Sequence, residues 1–474
     1  MMFPSDVYTD RRMRLKKELG SGLVLFPANF EVSLNYPANT YSYRQDSHFS
    51  YFFGLNHPDY IGIVDVDADK DYLFGDDIDI EDIIWMGDLP TVAEQAGQAG
   101  VRETGTLSSA LAMLKAAVKK GQKIHFLPPY RSEVKLALSD WLDIPVRELK
   151  ERSSPELIRA VVKLKEIKDA LEVAEIEKAV DVAYLMHTTG MKLCFPGIVE
   201  QEVAGTMEGI ALALAGPVSF PVILSMDGQT LHNHHHGNTL KEGRLVVMDA
   251  GCETQLLYAS DITRTVPVGG KFSQRQKEVY QAVLDANMAV IRELKPGIRY
   301  FDMHMLAART LVTGLKAIGL MKGDVDEAVA AGAHTLFFPH GLGHMLGMDV
   351  HDLEGLGENN VGYDETISRA TAFGTAYLRL AKTLKPGFVL TIEPGCYFIP
   401  ALIDKFRAEK KFTDFINYDL VETYKDFGGI RIEDDALITA NGSRILGKPI
   451  PKTIADVERT MTAPREWVKV PGLI

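Results

Sequence analysis

Five potential metal ligands in the C-terminal half constrain this chain more than any other feature. They are Asp249 in Val-Val-Met-Asp-Ala-Gly, Asp261 in Ser-Asp-Ile-Thr-Arg-Thr, His344 in His-Gly-Leu-Gly-His, Glu393 in Leu-Thr-Ile-Glu-Pro-Gly and Glu433 in Gly-Ile-Arg-Ile-Glu-Asp-Asp. Brought together, the four carboxylates and one imidazole carry about four negative charges. Such a cluster can be buried only if cations compensate it. Two divalent ions do so when two carboxylates bridge them about 3.5 Å apart, as in hydrolytic dimetal sites.

The local patterns place these residues on strands. Asp249 ends the apolar run Leu245–Met248, and Asp261 follows Leu256–Ser260. Two strands joined by a turn near Glu253–Gln255 would set both aspartates side by side on one face. Glu393 follows the apolar run Phe388–Ile392 and precedes Pro394-Gly395, a strand-to-turn exit. Arg431 and Glu433 alternate with Ile430 and Ile432, so the polar pair faces one way and the isoleucines the other. Arg431 can then support a neighbouring carboxylate. His340, His344 and His351 fall within twelve residues, interleaved with glycines that let backbone approach a ligand closely. A second histidine cluster, His232, His234, His235 and His236, lies between Asp227-Gly228 and the Asp249 strand. If that segment is extended, His232, His234 and His236 share one face.

The order and frames of these residues resemble the pita-bread metallopeptidases: methionyl aminopeptidase, Xaa-Pro aminopeptidase (aminopeptidase P) and prolidase. The resemblance is strong over roughly the last 300 residues and looser over the first 150. It implies an α/β (α+β) protein, with an N-terminal α/β domain and a C-terminal pita-bread domain of curved antiparallel sheet and outer helices. It also implies a dimetal aminopeptidase that hydrolyses the bond between an N-terminal residue and a following proline. In that pattern Asp249 holds one metal, His344 and Glu393 the other, and Asp261 and Glu433 bridge. Glu393 shuttles the proton, His340 and His351 contact substrate, and His234 matches a further substrate-contacting histidine, with His232 and His236 as rivals. Hard carboxylates with one imidazole suit Mn2+ and also accept Co2+ or Zn2+. The Asp249–Asp261 spacing of twelve is one longer than in the best-known members, an extra residue expected as a β-bulge. Two other readings are an Xaa-Pro dipeptidase (prolidase) and a non-peptidase relative; such relatives lose several ligands, and all five are here. A homo-oligomer, dimer or tetramer, is the family expectation.

At 474 residues the chain favours two domains. The expected division is 1–152, an aminopeptidase P-like N-terminal domain, and 153–474, the catalytic domain, with the boundary near Arg152-Ser153-Ser154-Pro155. In the first part, Gly22–Pro27, Ile61–Val66 and Lys123–Leu127 read as buried strands, and Leu107–Val118 as a helix. The Tyr43–Phe53 segment is similar to one that marks these N-terminal domains; its composition reads as an aromatic-rich strand at a domain interface. Beyond the boundary, Ser154 can cap a helix starting at Pro155, and Leu164–Tyr184 reads as a helix with Ile167 and Leu171 on its apolar face. Helices at Gln276–Leu294 and Phe301–Leu315 follow. A net charge of −13 argues against nucleic-acid or anionic-membrane binding. The longest apolar stretch, Gly209–Met226, is broken by Pro217 and Pro221, so no membrane span is expected. Three cysteines outside any Cys-x-x-Cys pattern read as reduced thiols of a cytoplasmic protein.

Overall fold

The computed structural model describes residues 2–464 as two compact units. Of these residues, one unit comprises 2–165 with 355–360, the other 166–354 with 361–464. The first is built on a five-stranded sheet ordered Glu103–Gly105, Lys70–Phe74, Ile61–Asp65, Leu23–Pro27, Ile124–His125. Leu23, Leu25, Ile61 and Ile63 from its central strands pack with Ala110, Leu114 and Leu138 of the flanking helices. The strand expected at Tyr43–Phe53 is instead the helix Ser47–Phe53. Asp46 caps it by accepting from the backbone N–H groups of His48 and Phe49. Gly54 ends it at φ 70°, where a Cβ would lie 2.2 Å from the Tyr8 ring. The cap outweighs the β-favouring aromatics.

The helix expected to run through Leu164–Tyr184 is divided where the second unit begins. Pro155–Lys165 ends before Glu166, and Asp169 caps a new helix, Ala170–Leu193. Ile167 and Leu171 are therefore exposed, not core residues. The break is held from afar: Glu166 pairs with Lys382 and Lys385, and Lys168 with Asp352. Further helices, Glu200–Leu214, Gln274–Glu293 and Tyr300–Ala317, accompany antiparallel ladders. Leu245–Ala250 pairs on one side with Ile262–Pro267 and on the other with Ile223–Ser225. Val389–Ile392 pairs with Asp434–Ile438, and Gly395–Tyr397 with Gly429–Arg431. A bond from Glu433 N–H to the Thr263 carbonyl (3.0 Å) ties two of these ladders together. The molecule is thus a mixed α/β protein with several antiparallel sheets. No helix among the described residues is long and apolar enough to cross a membrane.

Candidate active site

Asp249 and Asp261 come together through the hairpin, but the second strand begins after Asp261, not before it. Ala250 pairs with Ile262, Asp249 with Thr263, and further out Glu253 bridges to Ala259. The register is the same in all three pairs, so no bulge intervenes, and the tip around Leu257 (φ 68°) absorbs the chain length. Asp261 lies opposite Gly251, two residues from Asp249, so the two carboxylates are diagonal neighbours on one face. A Cβ on Gly251 would fall 1.8 Å from the Ser260 carbonyl oxygen, so glycine lets the two strands close there.

The other three residues reach the same place. Potential ligand atoms of Asp249, Asp261 and Glu433 lie within 4.8 Å of one another, as do those of His344, Glu393 and Glu433. Asp261, His344 and His351 form a third such group. Asp261, His344 and Glu433 are thus each shared between two groups. His344 Nδ1 lies 3.1 Å from the Met345 carbonyl, which can only accept, so that nitrogen carries the proton. Its Nε2 lone pair then faces Asp261 Oδ2 at 3.3 Å and Glu393 Oε1 at 3.8 Å. An imidazole ligand needs this orienting acceptor on its far nitrogen.

The electrostatics ask for cations. Burial first, then neighbouring carboxylates, push Asp261 and Glu433 well above the usual carboxylate range. Burial also raises Glu393, against the pull of His344 and Arg431. Arg431 is the nearby compensating charge, donating to Asp249 Oδ2 at 2.5 Å, to Thr263 Oγ1 at 3.1 Å and to the Tyr397 hydroxyl at 2.8 Å. Asp249 Oδ1 is buried without a hydrogen-bond partner. An orphaned carboxylate oxygen, together with an imidazole nitrogen whose lone pair faces carboxylates, makes a donor set that fits divalent ions.

These groups line a cavity of about 640 Å³. Glu393 is the most open of its carboxylates, with 19% of the side chain exposed, against 7% for Asp261. His340 is fully engaged: Nδ1 donates to the Gly341 carbonyl at 2.8 Å, and Nε2 accepts from Tyr397 at 2.9 Å. Burial, aided by Arg431, depresses it to about 3. His351 donates through Nδ1 to Glu354 at 3.2 Å, and burial and His344 hold it down to about 4. Both His232 and His234 line the cavity. The segment carrying them is a turn and irregular backbone, not a strand, and His236 Nδ1 instead bonds the Leu224 carbonyl.

Sequence reasoning missed several participants. Thr263 Oγ1 donates to Glu433 Oε2 at 2.6 Å, and Asp435 Oδ2 accepts the Asp261 N–H at 3.0 Å. Both were accessible by alternation, two residues beyond Asp261 and Glu433. Tyr397 and Arg379, a cavity residue whose guanidinium bonds Glu354, carried no local signal.

Residues 174–440 match Metallopeptidase family M24, and residues 8–125 match the N-terminal domain of aminopeptidase P. A probable Xaa-Pro aminopeptidase of Sordaria macrospora is 34% identical, over 85% of this chain and 83% of its own. Human Xaa-Pro dipeptidase is 30% identical, over 95% of this chain and 91% of its own. The solved structure of aminopeptidase PepP from Pseudomonas aeruginosa superposes with a TM-score of 0.80 at 28% identity, covering 98% of this chain and 99% of that one.

Proposed function

The chain belongs to metallopeptidase family M24, and from that membership we propose that it removes the N-terminal residue from peptides whose second residue is proline. The observation that carries this is the convergence of five ligand-type side chains into overlapping groups that line one cavity. Asp249 would hold one divalent ion and His344 with Glu393 the other, while Asp261 and Glu433 bridge. Mn2+ suits this oxygen-rich set best, with Co2+ or Zn2+ as substitutes. When bound, the pair of ions supplies a water acidified towards neutral pH and polarises the scissile carbonyl.

The chain's own residues do the rest. Glu393, the most open carboxylate, takes the proton of the attacking water and returns it to the departing imino nitrogen. His234 and His351 bind the reacting peptide unit from the cavity wall. Arg431 holds Asp249, and through Tyr397 it fixes the His340 ring. Proline offers no amide N–H, so the pocket must bind that residue without the backbone contact other peptidases use. We place the enzyme in the cytoplasm, on three buried, unbridged cysteines, and expect a dimer or tetramer by light scattering.

One observation favours the dipeptidase reading. Arg379 presents a cavity-lining guanidinium, 35% exposed, able to pair with a dipeptide carboxylate. Hydrolysis of Gly-Pro beside Gly-Pro-Pro and Arg-Pro-Pro, with added Mn2+, separates the two. Release of the first residue from the tripeptides supports the aminopeptidase. Turnover of Gly-Pro alone makes the chain a dipeptidase, and full activity without metal rejects the dimetal reading.

A further inference from the structure

We infer that Phe373 and Tyr377 form a binding ledge for an apolar side chain on the third substrate residue, the one following proline. This rests on the proline-directed peptidase reading. Both rings line the cavity, yet 45% of Phe373 and 56% of Tyr377 is exposed. They stand edge-to-face, with centroids 6.2 Å apart and an interplanar angle of 88°. Large aromatics open to a cavity leave apolar surface that a ligand side chain can cover.

The ledge is braced in place. Phe373 packs against Phe406 of the helix Pro400–Ala408 at 6.0 Å. The Arg369 guanidinium donates to the Ala376 carbonyl (3.1 Å from NH2), and the Tyr363 hydroxyl to the Leu378 carbonyl at 2.7 Å. Gly374 (φ 85°) packs so closely on Thr335 that a Cβ there would lie 2.4 Å from its methyl. Such a surface loses little freedom on binding.

Its position selects the third residue. The backbone of Tyr377–Leu378 rests on Gly341, where a Cβ would lie 3.1 Å from the Tyr377 carbonyl oxygen. The ledge thus stands beside His340, at the edge of the ligand cluster. Two residues on, Arg379 offers a part-exposed positive charge. With Nη1 on Glu354, its remaining N–H groups can still donate to the carbonyl and carboxylate oxygens downstream of proline. The peptide's C-terminal side therefore runs over the ledge.

The test compares kcat/KM for Ala-Pro-Phe and Ala-Pro-Gly with the Mn2+-loaded full chain. Covering a phenyl group on the ledge should favour the phenylalanine peptide by at least about tenfold, chiefly through KM. In Phe373→Ser/Tyr377→Ser the ratio should fall towards one. The Tyr377→Ser single variant, with an unchanged thermal midpoint as a check of folding, should give an intermediate ratio. Equal turnover of both peptides by the parent, or an undiminished ratio in the double variant, overturns the ledge and leaves the proline-directed reading standing. Cleavage of neither peptide overturns both.

Discussion

Replacing Lys168 by methionine removes half of an ion pair whose members are each 1% exposed and lie 2.8 Å apart. At an effective dielectric of about 20, their attraction at that distance is roughly 6 kcal/mol. Taking two ions out of water costs several kcal/mol each, so the intact pair comes out close to neutral. Removing Lys168 takes a full opposite charge from the buried Asp352 carboxylate, and the single variant should lose about 3–5 kcal/mol. In a unit of this size that corresponds to a fall of about 5–8 °C in Tm. Relaxation is restricted, because Gly347 packs where a Cβ would meet Asp352 Oδ2 at 2.4 Å and Lys168 Cε at 3.0 Å. Asp352 follows His351 in sequence, so kcat should fall as well. Calorimetry of Lys168→Met beside Lys168→Met/Asp352→Leu decides it. The double variant removes both charges together and should recover most of the lost Tm. A single variant melting within about 1 °C of the parent, or a double variant less stable than the single, would refute the reasoning.

Asp261→Asn and Glu433→Gln should each lower metal content measured by elemental analysis and nearly abolish turnover; two ions per chain retained in both would reject the bridging assignment. His232→Ala and His234→Ala should depress kcat with metal content intact, while His236→Ala, whose ring is occupied by Leu224, should matter least. The reverse order would mean that the segment moves on substrate binding. Stability should also fall between about pH 7 and pH 4. Burial holds His304 and His334 down to about 3 and about 4 in the folded chain, whereas in the unfolded chain they take up protons near about 6.5. The unfolded state therefore binds more protons over that interval, and the loss levels off below the folded values. Urea midpoints of His304→Phe/His334→Leu should show a shallower fall, and an unchanged slope would reject the assignment.

The five residues that converge on the cavity are legible because each sits in a short frame whose apolar run and turn residues can be read locally. The Ser47–Phe53 helix was not, because its aromatics favour a strand and only the Asp46 cap and Gly54 argue otherwise. The break at Glu166–Asp169 contains neither proline nor glycine; it is held by Lys382, Lys385 and Asp352, which lie far along the chain. The hairpin is legible in outline, but its second strand is expected too early, since Leu256–Ser260 is as apolar as a strand while the paired strand begins only at Ile262. Arg379 reaches the cavity, and Tyr397 the cavity residues His340 and Arg431, through tertiary packing that no local pattern encodes.

The carbonyl of Met345 accepts from His344 Nδ1 and also from the Asp352 N–H at 3.0 Å. One backbone oxygen thus sets the tautomer of an imidazole and the path of the loop that carries His351. No side chain is involved, so position 345 can drift among residues of similar bulk without disturbing either. A comparison of sequences would score it as a replaceable core position. A designer grafting this site elsewhere by copying its side chains would lose it, because what must be transplanted is the course of the main chain.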